Sequence, residues 1–317
     1  MAGEDTITFD ASLSGQTITL TSGELLITDA VTIQGLGAEQ LTISGNNSSR
    51  VFKIDSSNSD INVTIEGLTI TGGQTSAGDD NNDDGGGIWN RENLTLKNVV
   101  VSGNQAADDG GGIRNDGEIT IIDSTIADNT SIGTSLTSGG GGLINTTNAS
   151  ATVINSTFSG NTAINGGGIR NDKNLTLINS TLSGNTASES GGGLVNTVNP
   201  LNPALGGTAT VSSSTITDNT ALDTSGNGSS FGAGAGFANF GTATVSNSII
   251  AGNTGNDDFA DKFSLFGQTL PGISNSGGNN LIGNGDNVTA FTDGQNEDIV
   301  GTAAAPVDPK LDVLKDN

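Results

Sequence analysis

The chain is 317 residues long, with 49 glycines, 3% aromatic residues, no cysteine, no histidine and a formal net charge of −24. Such acidity repels phosphate backbones and anionic lipid, which argues against nucleic acid and membrane surfaces as partners. The missing Cys and His exclude a Cys/His zinc site and Ser-His or Cys-His catalysis.

So few large side chains cannot fill one thick core. A thin, elongated core of stacked short strands needs only small and aliphatic residues. Low aromatic content also suits disorder, but Val, Ile and Leu recur too regularly for that reading. No apolar run reaches about 18 residues, so no transmembrane segment is expected. Met1, Ala2, Gly3 and Glu4 form an acidic start without an apolar stretch behind it, unlike a signal peptide. The favoured reading is an exported mature piece with Met1 placed ahead of it, its signal and anchor segments lying elsewhere.

Residues 5–70 carry short alternating runs such as Thr6–Phe9, Gln16–Leu20, Leu41–Ser44 and Val63–Ile65. Each has the period-2 pattern of a strand with one buried face and stops at Gly, Asn, Asp or Ser. No stretch keeps a 3.6-residue apolar period, so no substantial helix is predicted.

From Gly85 a strict unit sets in, GGGIxN followed by a strand-corner-strand phrase of the type LTLxNSTxSGN. Six copies begin at Gly85, Gly110, Gly140, Gly166, Gly191 and Gly234 and end at Asn104, Asn129, Asn161, Asn185, Asn219 and Asn253. The connections before each glycine triplet have 5, 10, 4, 5 and 14 residues; those after GGGIxN have 3, 3, 5, 3, 12 and 3. Insertions confined to two corners are what a solenoid predicts. A minimal unit of about 24–26 residues makes one coil of three short strands, stacked on the next at about 4.8 Å. The predicted fold class is therefore all-β: a parallel β-helix of about ten coils, right-handed by the strong preference of parallel crossovers.

The repeat also assigns inward columns: Leu94/Leu96 and their equivalents in the first strand, Ile126 and Phe158 after the next corner, and Ile88 and Ile113 after the glycines. The triplet itself fits a tight corner that needs φ > 0 or no Cβ. Asn98, Asn155, Asn179 and Asn247, with Asp123 and Ser213 as substitutes, are expected at another corner, where Asn tolerates a left-handed backbone and stacked amides bond as a ladder. After Asn253 the period loosens into an excursion over 254–276, with Phe259, Phe263, Leu265 and Phe266 able to pack back on the stack. One domain is expected over 1–317: a cap and irregular coils over 1–84, regular repeats over 85–253, and the excursion, last coils and C-terminal cap over 254–317. The capping stretches are placed at 1–25 and 284–317, because an open end is an unpaired edge.

The phrases Asp5–Asp10, Gly15–Leu20, Leu41–Asn46 and Gly67–Gly73, with the tail from Asn247 through Gly278–Gly283 to Asp308–Leu311, resemble large exported bacterial parallel β-helix proteins with a choice-of-anchor Q region. The SGNTA…GGGIxN unit is also similar to repeats of polymorphic outer membrane proteins. That resemblance implies export and cell-surface attachment; the chain as a whole is read as a structural or adhesive, non-catalytic stalk.

Because the repeat encodes the stack, function is expected in what departs from it. Asp83-Asp84 and Asp108-Asp109 each directly precede a glycine triplet on neighbouring coils, and Asp79 and Asp80 add to the first pair. Stacking would bring these carboxylates within about 5–8 Å. Like charges that close raise one another's pKa or recruit a cation, and oxygen-only ligands suit Ca²⁺; the bland alternative is solvated loop carboxylates. The position before the closing Asn of GGGIxN reads Trp89, Arg114, Ile144, Arg170, Val195 and Ala238 and is expected to face solvent. Trp89 beside Arg114 could form a cation–π pair or hold a sugar ring, with Arg170 along the same column, which makes an extracellular polysaccharide or another cell-surface molecule the candidate partner; the bland alternative is a chance surface aromatic partly covered by the long loop at 74–84. An outward Thr column (Thr95, Thr120, Thr152, Thr176, Thr210, Thr244) suits ordered water and a remote ice-binding reading, but Lys97 and Ile122 break a double array, and Thr is a good strand residue anyway. Pectate lyases share the right-handed β-helix, so a Ca²⁺-assisted polysaccharide-active enzyme using Asp83, Asp84, Asp108 and Asp109 with Arg114 is the alternative from another class.

Overall fold

The computed structural model describes residues 5–56, 60–78, 83–135, 137–197, 206–222, 234–265, 268–288 and 290–311. The alternating runs become strands, and one strand per turn joins each of three long sheets. A coil in the middle of the repeat is Asn174–Ile178, Thr181–Ser183, Thr186–Ser190 and Leu194–Asn196. The first of these belongs to a ten-stranded face, the second to an eleven-stranded face, the last to a nine-stranded face. Every pairing between successive coils in these sheets is parallel, as Asn174–Ile178 on Ser150–Ile154 shows. The chain is a parallel β-helix.

The third strand of that coil was read from sequence as connection. It belongs to a fourth, five-stranded parallel face running from Gln105–Ala106 to Thr220–Ala221. Three of its five strands have only two residues, too few for period 2 to register, and the central coils have four strands where three were expected.

The three apolar columns point inward as their alternation requires. Leu175 and Leu177 of the first face, Leu182 of the second and Leu194 of the third are each at most 2% exposed. Toward the C-terminal end the column thickens with aromatics: Phe237 stacks on Phe259 at 4.8 Å, and Phe291 meets Phe259 edge-on at 5.3 Å. The side chains of Phe263 and Leu265, and all of Phe266, lie outside the described residues; the backbone there forms an antiparallel hairpin, Lys262–Leu265 with Gln268–Pro271. Residues 5–27, read as part of the N-terminal cap, already form the first coil with a single 3₁₀ turn at Ala11–Leu13. Its Ile7 continues the core column Ile33–Ile65 yet is 48% exposed.

The glycine corner has two separate causes. Gly166 adopts φ 62°, which a side chain resists. Gly167 sits under the neighbouring coil, where an added Cβ would lie 2.5 Å from the Thr186 carbonyl oxygen.

Asn98, Asp123, Asn155, Asn179, Ser213 and Asn247 have φ between 48° and 51°, as expected of their corner. Their amides stay on the outside, with Asn179 donating to Asn155 at 2.8 Å. The buried ladders are built from the two other Asn positions of the unit. Asn104, Asn129, Asn161, Asn185 and Asn219 are each at most 1% exposed. Asn129 donates its backbone N and its Nδ2 to Asn161 Oδ1, both at 3.0 Å. Asn161 Nδ2 passes the pattern to Asn185 Oδ1 and also serves the Ile126 carbonyl, both at 2.9 Å. The last amide, Asn253, donates N and Nδ2 to Asp258 Oδ1 at 2.7 and 2.8 Å. A second ladder runs through Asn90, Asn115, Asn145, Asn171, Asn196 and Asn239 at 2.7–2.8 Å per step. A third uses serines: the Ser156 backbone N donates to Ser180 Oγ, and that chain also ends on an acid, through Asn280 to Asp298.

The outward Thr column is longer than the repeat alone suggested, with Thr6, Thr32, Thr64 and Thr95 in register ahead of Thr120. Its neighbouring column stays mixed, with Gln34, Glu66, Lys97 and Ile122 in line.

Replacing Asn161 with Ala leaves two buried donors of Asn129 without an acceptor, an expected loss of about 2–4 kcal/mol. Asn155→Gly, at a left-handed and exposed corner, should stay within about 0.5 kcal/mol of the parent. Urea midpoints of the two variants check this, and comparable losses would refute the assignment of the ladder.

Candidate functional site

The acidic corner forms where the third face begins. The two glycine triplets at Gly85 and Gly110 stack, Gly85 N donating to the Asp109 carbonyl at 2.8 Å and Asp108 N to the Asp83 carbonyl at 3.0 Å. This places Asp84, Asp108 and Asp109 so that one carboxylate oxygen of each lies within 4.8 Å of the others. Asp83 is half-buried and does not join that trio. Asp79 and Asp80 lie outside the described residues.

Each member of the trio is already held. Asp84 is buried, accepts Asp109 N on Oδ1 at 2.8 Å and takes Arg114 Nη1 on Oδ2. Asp108 Oδ1 accepts the Ser138 hydroxyl at 2.5 Å, and Asp109 Oδ1 accepts Gly139 N at 2.7 Å. Burial pushes the Asp109 carboxyl up to about 7, against the pull of Arg170 and the Gly139 amide and with help from Asp108 and Asp84. Burial also raises Asp84, so desolvation outweighs its contact with Arg114. A site that resists carrying its full negative charge invites a proton or a cation. The donor set is all oxygen, which fits Ca²⁺ and not zinc.

The column expected to face solvent is in fact largely covered. Lys53, Trp89, Arg114, Ile144, Arg170, Val195 and Ala238 are in register down the third face. Trp89 is 7% exposed, Ile144 2% and Val195 1%. Corner insertions fold over this face, as when Arg170 Nη1 reaches the Thr137 carbonyl in the connection before Gly140. Trp89 therefore has no open ring face for a sugar, and the expected exposed platform is corrected on this point.

What surrounds the indole instead is charge. Lys53, Arg50, Arg114 and Arg91 lie 4.6, 4.9, 5.7 and 5.8 Å from its ring centre. The Nε1–H donates to Asp116 at 2.6 Å. These cations are in turn paired: Arg50 with Glu24, Lys53 and Arg91 with Asp55, Arg114 with Asp84 and Asp116. Arg170 pairs with Asp172 at 2.9 Å, two coils beyond Arg114. So Trp89 and Arg114 do meet, as part of an internal cage, and Arg170 stands apart next to Asp109. The sequence reading missed Ser138, Gly139 and Asp116, whose roles depend on which loop folds over which coil. A Cβ at Gly139 would stand 3.1 Å from Arg170 Cδ.

No protein-family model and no curated protein matches the chain. Among solved structures it is similar to a mutant of the PL6 family alginate lyase AlyGC, at 14% identity and a TM-score of 0.25 over 91% of this chain and 51% of that one. The chain thus spans about half the length of that protein, and a likeness at this score carries no argument about function. None of the helices among the described residues is long and apolar enough to cross a membrane.

A carboxyl whose folded pKa is raised binds its proton in the native state from its ordinary 3.8 up to about 7. Across that window the folded chain holds more protons than the unfolded one, so this group makes stability fall as pH rises, by up to about 1.4 kcal/mol per pH unit. With chelator present, Asp109→Asn should raise the melting temperature more at pH 8 than at pH 5. Parallel pH profiles for variant and parent would refute the assignment.

Proposed function

We propose that this chain is an exported, surface-associated β-helix with a structural and adhesive role, a stalk with no catalytic task, holding Ca²⁺ at Asp84, Asp108 and Asp109. The observation that carries this reading is how the repeat's fixed polar side chains are used. Both recurring Asn positions of the unit are turned inward and bond to the next coil. The cations nearest the acidic corner, Arg114 and Arg170, are likewise engaged within the molecule. A repeat whose polar positions serve neighbouring coils makes length and stiffness, which is what a stalk needs. Export and attachment follow from the resemblance of Asp5–Asp10, Leu41–Asn46 and the SGN…GGGIxN unit to exported bacterial β-helix proteins. At the corner, calcium would replace the proton that Asp109 otherwise retains, and Asp108 and Asp109 would bring their second carboxylate oxygens to it.

One observation favours the enzymatic reading. A carboxyl titrating near neutrality is suited to general acid–base work, and it lies beside two arginines. On that reading Asp109 exchanges protons with an acidic polysaccharide held by Ca²⁺ and Arg114.

Two experiments separate these. Calcium at a hundredfold excess over its Kd should stabilise the chain by about 2.7 kcal/mol, seen as a raised melting temperature that chelator and Asp108→Asn each abolish; an unchanged midpoint removes the metal site. Incubation with alginate or pectate and calcium should yield neither unsaturated product absorbance nor new reducing ends. Turnover that disappears in Asp109→Ala would overturn the stalk and establish the enzyme.

A further inference from the structure

The acidic corner already holds a cation of its own. Arg114 Nη1 donates to Asp84 Oδ2, while Asp84 Oδ1 accepts Asp109 N at 2.8 Å. Both oxygens of Asp84, the buried member of the trio, are therefore taken before any ion arrives. A divalent ion at Asp84 Oδ2 would stand against the guanidinium, and two cations that close repel strongly away from bulk water. Calcium must displace Arg114 to gain its third carboxylate.

Arg114 is mounted for such a displacement. Its Nε donates to Asp116 Oδ1 and Oδ2, both at 3.0 Å, so a second carboxylate holds the guanidinium independently of Asp84. Asp116 is itself fixed by Trp89 Nε1 at 2.6 Å and by the Thr146 hydroxyl at 2.9 Å. The Arg114 side chain is 24% exposed, which gives the departing arm access to water. Another copy of the unit shows the same pair without an acid like Asp84. Arg170 donates to Asp172 through Nε at 2.9 Å and Nη2 at 3.2 Å, and the Thr197 hydroxyl fixes Asp172 at 2.7 Å. There Nη1 reaches the Thr137 carbonyl instead of a carboxylate. The Arg-Asn-Asp unit thus stands on its own, and its outer arm accepts different partners.

We propose that Arg114 is a tethered counter-cation that competes with calcium for Asp84 and so sets the affinity of the site. This rests on the calcium reading above and specifies how that site is regulated. Without the ion, Arg114 neutralises Asp84 and the corner stays closed. With it, Arg114 falls back on Asp116 alone. An internal competitor lowers affinity, toward the ~10⁻⁴–10⁻³ M range of extracellular calcium modules. The single tryptophan reports the exchange, because Arg114 lies 5.7 Å from the Trp89 ring centre and both side chains bond Asp116.

Calcium is titrated into the full chain, into Arg114→Gln and into Asp116→Asn, followed by calorimetry and tryptophan emission. Arg114→Gln removes the competitor and should bind calcium about tenfold or more tighter than the parent. Asp116→Asn removes the tether, leaves the guanidinium to Asp84 and should bind about threefold or more weaker. Opposite signs are the signature, since a purely structural role would weaken both variants. In the parent, emission should change with the same midpoint as the heat. With chelator, Arg114→Gln should melt below the parent, because Asp84 is left buried without its cation, and calcium should restore it. Should that variant not fold, Asp116→Asn carries the test alone. Heat in the parent with no tightening in Arg114→Gln, no weakening in Asp116→Asn, or no change in emission overturns the competition and leaves the site standing. Absence of heat in the parent and in Arg114→Gln alike removes the calcium site and this proposal with it.

Discussion

Buried amide ladders are the interaction on which this molecule depends. A coil of about 25 residues turns its backbone through several tight corners, and a corner leaves carbonyl and N–H groups that no strand partner reaches. Each Asn of the ladder answers two of these at once, as Asn161 does by serving the Ile126 carbonyl while accepting Asn129 N. The thin apolar columns would not suffice alone, because burying such groups unpaired would cancel much of what Leu175, Phe158 and their neighbours contribute. Apolar stacking and amide stacking are thus one design, in which the corners are as dry as the strands.

Electrostatics sets the second constraint. At a net charge of −24 the chain repels itself, yet four of its ten basic residues crowd around one indole. The cage works because each cation brings or meets an acid, Asp55, Asp84, Asp116 or Glu24, so charge is neutralised pair by pair where the first four coils stack. Nearby, Asp109 is the place where that matching is incomplete. Burial and the adjoining carboxylates outweigh Arg170 there, which is why this corner stands out chemically from the other glycine corners.

Much of the fold was legible because the repeat prints the coil directly. Alternation in LTLxN identifies which face is buried, and loop lengths that vary at two points identify the corners. The site was less legible. Asp84, Asp108 and Asp109 could be placed together because they hold equivalent positions on adjacent coils. Their partners Ser138 and Gly139 could not, since they arrive from a connection that no other copy shares. Trp89 was misjudged for a related reason: strand alternation assigns an outward direction, but an insertion elsewhere decides whether outward means wet. The Asn ladders were available in principle, because the closing Asn of GGGIxN and of SGN recurs in all six copies whereas the Asn98 column admits Asp123 and Ser213. A position that never tolerates a carboxylate or hydroxyl is the one that must both donate and accept.

That requirement gives the ladders a direction. In the Asn104–Asn253 and serine ladders, side-chain oxygens accept from the coil before, and both finish on a group that only accepts when ionised, Asp258 or Asp298. An interior coil presents the same acceptor to its predecessor and the same donor to its successor, whereas the terminating acid fits nowhere else. Duplicating or deleting a unit between Asn104 and Asn253 would leave the ladder bonds at both junctions unchanged. Rod length is therefore adjustable in whole units by recombination within the gene, while the two acidic terminators mark where that adjustment stops.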